Sequence, residues 1–210
     1  MDNNKIKEKE PFFSAKTVAK IGIFTALSCV LYLFINIPLP FLFPGFLKLN
    51  ISDFPALICG FALGPVSGII VITIKFLLKL LISGAESMGA GELSDLINGF
   101  AFVVVSSLIY KRNKCKKTAI LGIILGAVAS VITSIFSNRF LIIPYYITVG
   151  GMSMDILVKA CAIIPNITAE NFYLYYILFA VIPFNVLRCL FVGLTTFFTY
   201  KHISKLLHKM

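Results

Sequence analysis

Apolar runs of about twenty residues recur along this chain, separated by polar or proline-rich breaks. Val18 to Ile37 is the first such run, with one charge, Lys20, near its start; that is the length a helix needs to cross the hydrocarbon of a bilayer. The next stretch, PLPFLFPGFLKLN, sets three prolines and a glycine among aromatics. Proline has no amide hydrogen and collides with the turn before it, so this stretch reads as an apolar loop. Asp53 to Leu63 is a shorter apolar segment closed by Gly64-Pro65, and Val66 to Ser83 follows at once, predicting a tight pair of helices. GAESMGAGE is a small-residue loop, after which Leu93 to Tyr110 spans again and stops at KRNKCKK. Thr118 to Asn138 is the fifth span, continuing as a helix or partial turn to Pro144. A polar stretch with Gly150-Gly151, Asp155, Lys159 and Asn166 leads to Phe172 to Tyr200, long enough to cross with some tilt.

Composition supports lipid as the main solvent. The chain is 59% hydrophobic with mean hydropathy +0.95, against about 45–50% apolar residues in ordinary soluble domains. The expectation is one all-α integral membrane domain over residues 1–210, with six transmembrane helices. A net charge of +10 raises the question of nucleic acid, but the basic residues cluster between apolar runs, at Lys5 to Lys20, Lys111 to Lys117 and Lys201 to Lys209. That is the distribution of cytoplasmic flanks, not of a nucleic-acid surface. Both termini are therefore expected in the cytoplasm, with tails at 1–15 and 201–210, and the proline-rich loop, 84–91 and 148–171 outside. A five-span alternative, with Asp53 to Leu63 re-entrant, would separate the basic loop and C-terminal tail from the N-terminal side.

The five cysteines, Cys29, Cys59, Cys115, Cys161 and Cys189, form no CxxC pair and read as small buried hydrophobes. The only histidines, His202 and His208, lie in the basic tail, so a histidine-based metal or catalytic centre has almost no raw material. No metal or catalytic cofactor is expected, and no nucleophile–base pair at recognisable spacing favours an enzyme.

Ionisable groups inside spans are costly and normally face a cavity or a partner. Lys75 and Lys79 lie one turn apart on the third span. Asp53 opens the second span, and Glu92 and Asp95 open the fourth, all toward the outer side. Snorkelling and capping account for Lys79, Asp53 and Asp95, whereas the deeper Lys75 points to a cavity. Arg188 follows Asn185 by three residues, on one face of the last span just after Pro183. A carboxamide and a guanidinium fork together can read the edge of a heterocycle. Asn138 and Arg139 close the fifth span at similar depth; ligand contact is the expected role of Asn138 and Asn185, with interhelical hydrogen bonding as the plainer alternative. Phe46, Leu47 and Lys48, in a loop stiffened by Pro38, Pro40 and Pro44, suit a cover over a flat apolar ligand. Gly22 and Ala26 form a small-xxx-small pair that lets helices approach closely in lipid.

Four segments, PLPFLFPGFLKLNISDFPALICGFALGPVSGIIVITIK, GAGELSDLINGFAF, NRFLIIPYY and PFNVLR, resemble in sequence and order the substrate-binding S components of energy-coupling factor vitamin transporters, most closely the riboflavin-binding type. The resemblance implies a six-helix S-component fold that captures a vitamin from outside, riboflavin above all, with another vitamin or precursor such as pantothenate or a thiamin precursor as the alternative. It implies a partner module of one transmembrane coupling subunit and two ATPases, since this chain holds no GxxxxGK[ST], and it places Gly22 and Ala26 on the coupling subunit. By the same resemblance Asn138, Asn185 and Arg188 belong to the pocket, joined as ligand-binding candidates by Phe46, Leu47, Lys48, Asp53, Lys75, Glu92 and Tyr145. Arg188-Cys189 stands where the family commonly has lysine-glycine, Phe76 where it has asparagine, and Asn50 where it has aspartate.

Overall fold

The apolar runs fold as helices. In the computed structural model, which describes residues 14–207, α1 (Ala15–Phe34) starts at Ser14, whose hydroxyl accepts from the Thr17 amide. It is followed by α2 (Asp53–Leu63), α3 (Pro65–Ser83), a 3₁₀ turn at Glu86–Gly89 and α4 (Ala90–Arg112). The rest comprises α5 (Lys116–Ser137), α6 (Ile143–Thr148), α7 (Met154–Ala160), α8 (Phe172–Tyr176) and α9 (Ile182–Leu207). Most of the predicted tail 1–15, and residues 208–210 of the predicted tail 201–210, lie outside the described residues.

Among the described residues, five rods are long and apolar enough to cross a membrane: α1, α3, α4, Lys116–Thr148 and Phe172–Thr199. The last two are each interrupted by one π turn, Asn138–Ile142 between α5 and α6 and Ile177–Val181 between α8 and α9. Each π turn is followed two residues later by a proline, Pro144 or Pro183. The proline withholds an amide and crowds the preceding turn, and the wider π register accommodates it without breaking the rod.

The predicted second crossing differs from a full span. α2 has 11 residues, about 16 Å at 1.5 Å per residue, roughly half the hydrocarbon thickness. Nine of the 11 are buried, so it lies inside the protein. It folds back on α3 through Gly64, whose φ of 102° suits glycine. The proline-rich loop descends to meet it, pinned by a two-residue antiparallel ladder that pairs Ile37 with Leu49 and Pro38 with Lys48. Its deeper end, Leu49 and Asn50, is buried within the protein, the setting in which irregular backbone is tolerated inside an apolar bundle.

Close packing rests on glycines. A Cβ on Gly126 would sit 2.7 Å from the Phe102 carbonyl oxygen, and one on Gly122 would sit 2.7 Å from that of Ser106, so α4 and α5 touch backbone to backbone. The tightest small-xxx-small contact is thus Gly122–Gly126 on α5. Gly22 and Ala26 on α1 are exposed, and a Cβ on Gly22 would meet nothing within 4 Å among the described residues. Gly126→Ala is expected to destabilise by about 1–3 kcal/mol, while Gly22→Ala changes stability by less than about 1 kcal/mol. Thermal unfolding of the two variants in detergent checks the contrast.

Candidate ligand-binding site

The chain preceding α2 carries polar side chains into the bundle. Asn50, Ser52 and Asp53 are all buried. Because α2 runs antiparallel to α3, Asp53 faces the middle of α3, where the Lys75 ammonium lies 2.6 Å from Asp53 Oδ1. Arg188 from α9 donates to the other oxygen, Oδ2. Its second terminal nitrogen lies 3.0 Å from Asp95 Oδ1, and Asn50 Nδ2 donates to Asp95 Oδ2 at 3.0 Å. Lys75 also donates to Ser52 Oγ at 2.9 Å, and Ser52 Oγ donates to Asn50 Oδ1 at 2.7 Å. Two carboxylates and two cations balance, and the network joins α2, α3, α4, α9 and the loop. Such pairing is what permits charge in an apolar interior.

Asp53 is therefore no interfacial cap. It sits at mid-bundle because α2 begins there, a correction that the half length of the helix explains. Gly99 supplies the room, since a Cβ there would lie 3.2 Å from the Asp53 carboxylate. Lys75 takes the buried role expected of it, with its ammonium also 4.9 Å from the centre of the Tyr32 ring. Lys79 is buried rather than snorkelling, 3.8 Å from Glu92.

Above this floor opens a cleft of about 680 Å³, counting its open mouth. Of the expected residues, Phe46, Leu47, Lys48, Glu92, Asn138, Asn185 and Arg188 line it. Asp53 and Lys75 lie beneath, and their contact with the cleft is through Arg188 and Asn50. Tyr145 does not line it; its hydroxyl donates to the Met88 carbonyl at 3.0 Å and ties α6 to the 3₁₀ turn. Tyr32, Asn36, Asn50, Asp95, Asn98 and Phe184 complete much of the wall.

The cover is aromatic. Phe43 packs edge-on against Phe184 at 5.4 Å, and Phe46 approaches Tyr146 and Tyr176 at 6.0 and 6.2 Å. Phe41 and Leu42 project outward instead, 71% and 54% exposed, so one loop both covers the cleft and offers apolar surface to its surroundings.

Opposite lie carboxamides. Asn138 stands at the first π turn, donating to Ser134 O at 2.9 Å and accepting from the Tyr176 hydroxyl at 3.2 Å. Asn185 donates to the carbonyl of Val181, the last residue of the second π turn, at 2.9 Å. Asn98 donates to Ser94 Oγ at 3.2 Å. The side-chain oxygens of Asn98 and Asn185 are buried and have no hydrogen-bond partner among the described residues. A buried acceptor left unmade costs about 1–3 kcal/mol, so both favour a ligand that brings N–H or O–H donors. Asn98 was missed by sequence reasoning; the available signal was its position one turn beyond Asp95 on an apolar helix.

The pattern "ECF transporter, substrate-specific component" matches residues 16–200. The riboflavin transporter RibU of Staphylococcus aureus is 29% identical over 195 residues, covering 93% of this chain and 94% of that protein. RibU of Lactococcus lactis is 30% identical over 180 residues, covering 83% and 86%. The riboflavin transporter FmnP of Bacillus subtilis is 31% identical over 132 residues, covering 62% and 68%. The solved S component of a bacterial ECF transporter superposes with TM-score 0.68 at 28% identity, covering 91% of this chain and 97% of its own.

Asp53→Asn removes a carboxylate shared by two buried cations and is expected to destabilise by about 3–5 kcal/mol. Lys75→Met in the same molecule should recover part of that loss, because it removes the uncompensated charge. Thermal unfolding of both single variants and the double variant measures the coupling.

Proposed function

Since the chain belongs to the substrate-specific components of ECF transporters, we propose that it captures riboflavin in the cleft beneath the proline-rich loop. The observation that carries this is the pairing of an aromatic cover with two buried, unpartnered carboxamide oxygens, Asn98 and Asn185. The relatives named as riboflavin transporters support the same ligand. A flat tricyclic ring suits the aromatic side, where face or edge contacts add to burial. Its single ring N–H and the ribityl hydroxyls are the donors that the two amide oxygens lack. Arg188 is held by both carboxylates, so it presents a fixed donor edge rather than a free charge.

The positive-inside distribution of basic residues supports cytoplasmic ends. With α2 and the descending loop together counted as one crossing, the bundle makes six, and the cleft opens on the extracytoplasmic side. Uptake then needs an energising module, proposed as a coupling subunit with two ATPase subunits. The exposed small-residue face at Gly22 and Ala26 is the proposed contact with the coupling subunit, because none of the described residues packs over Gly22.

Purified protein should quench riboflavin fluorescence on titration, and Asn185→Ala should weaken Kd by about tenfold, the value of one hydrogen bond. Absence of quenching by the intact protein rejects riboflavin.

A further inference from the structure

A second concavity, with a lining separate from that of the cleft, lies between α5 and α9. Ridges of Ile124, Val128 and Ile132 on one side and Leu190 and Leu194 on the other stand over a floor that includes Ala127 and Gly193. The helices lie close at Gly193, where a Cβ would meet Ile123 Cγ2 at 2.8 Å. Its α5 wall extends from Ile120 to Ile132, about 18 Å at 1.5 Å per residue. That matches one leaflet, half of the roughly 30 Å hydrocarbon core, and falls short of what a membrane-crossing partner helix would cover.

The groove has a charged end. A smaller recess shares Ile120, Ile123 and Phe197 with it and is also lined by Lys116. The Lys116 ammonium stands 4.9 Å from the centre of the Phe197 ring. Lys111, Arg112, Lys114 and Lys117 are exposed around the same end. An apolar channel one leaflet long, ending at a lysine in a basic loop, complements a molecule with an acyl chain and an anionic head.

We propose that this groove binds one anionic phospholipid from the leaflet on the side of the 111–117 loop, its chain between α5 and α9 and its phosphate at Lys116. The site stands on the membrane reading and is independent of which vitamin the cleft takes.

Native mass spectrometry of the full chain, from nanodiscs holding equal phosphatidylglycerol and phosphatidylcholine, tests it. The wild type should retain one phospholipid, favouring phosphatidylglycerol by about fivefold, the factor one lysine near a membrane surface contributes. Lys116→Gln should keep the lipid and lose the preference. Ala127→Phe, which fills the floor, should lose the lipid whatever its head, with thermal unfolding as the check on folding; Leu190→Trp serves if that variant does not fold. No retained phospholipid, equal retention of both by the wild type, or unchanged retention in the filled variant would overturn the proposal.

Discussion

A carboxylate placed in the middle of an apolar bundle must be neutralised where it stands, and Asp53 is neutralised twice. Lys75 holds one oxygen and Arg188 the other. Because those partners come from α3 and α9, the charge requirement fixes three helices against one another. Asp95 extends it to α4, and Asn50 extends it to the loop. The same pairing that stabilises the bundle thus lays the floor of the cleft. Apolar packing alone would not choose this register, since lipid tails offer outer helix faces an equally apolar neighbour.

The cleft above the floor results from two local departures from regular helix. The descending loop and half-length α2 leave the outer part of that crossing to Phe43, Phe46 and Leu47 rather than to a helix. The π turns before Pro144 and Pro183 carry Asn138 and lie just before Asn185. Tyr176 bridges the two rods at this level through Asn138. Wall polarity follows: Phe46 and Leu47 stand beside Lys48 and Asn50 on the loop side, while Asn98, Asn138 and Asn185 line the cleft from α4, the first π turn and α9.

Much of this was legible in the chain. The apolar runs gave the five long rods to within a few residues, Gly64-Pro65 gave the hairpin, and the i, i+3 spacing of Asn185 and Arg188 put both on the cleft. The depth of Asp53 was not legible, because it depends on where α2 stops short and on partners 22 and 135 residues away. A carboxylate at the start of an apolar run reads locally as a cap. Tyr145, a ligand-binding candidate in the NRFLIIPYY segment, spends its hydroxyl on the Met88 carbonyl. Asn98 escaped notice because one asparagine within an apolar helix is also the pattern of ordinary interhelical bonding. The Gly122–Gly126 contact shows the same limit, since small-residue spacing marks several helix faces and only packing says which one is used.

The most direct test is the distance between ligand and carboxamides. Solid-state NMR recoupling between ¹⁵N-labelled riboflavin and the ¹³C-labelled side chains of asparagine, assigned through Asn98→Ser and Asn185→Ser, reads it in membranes. A ring nitrogen hydrogen-bonded to one of these oxygens must lie within about 5 Å of that side-chain carbon. A contact that disappears with one of those two substitutions is the result expected. Riboflavin that binds with no asparagine side chain inside that distance would contradict the placement of the ligand in this cleft.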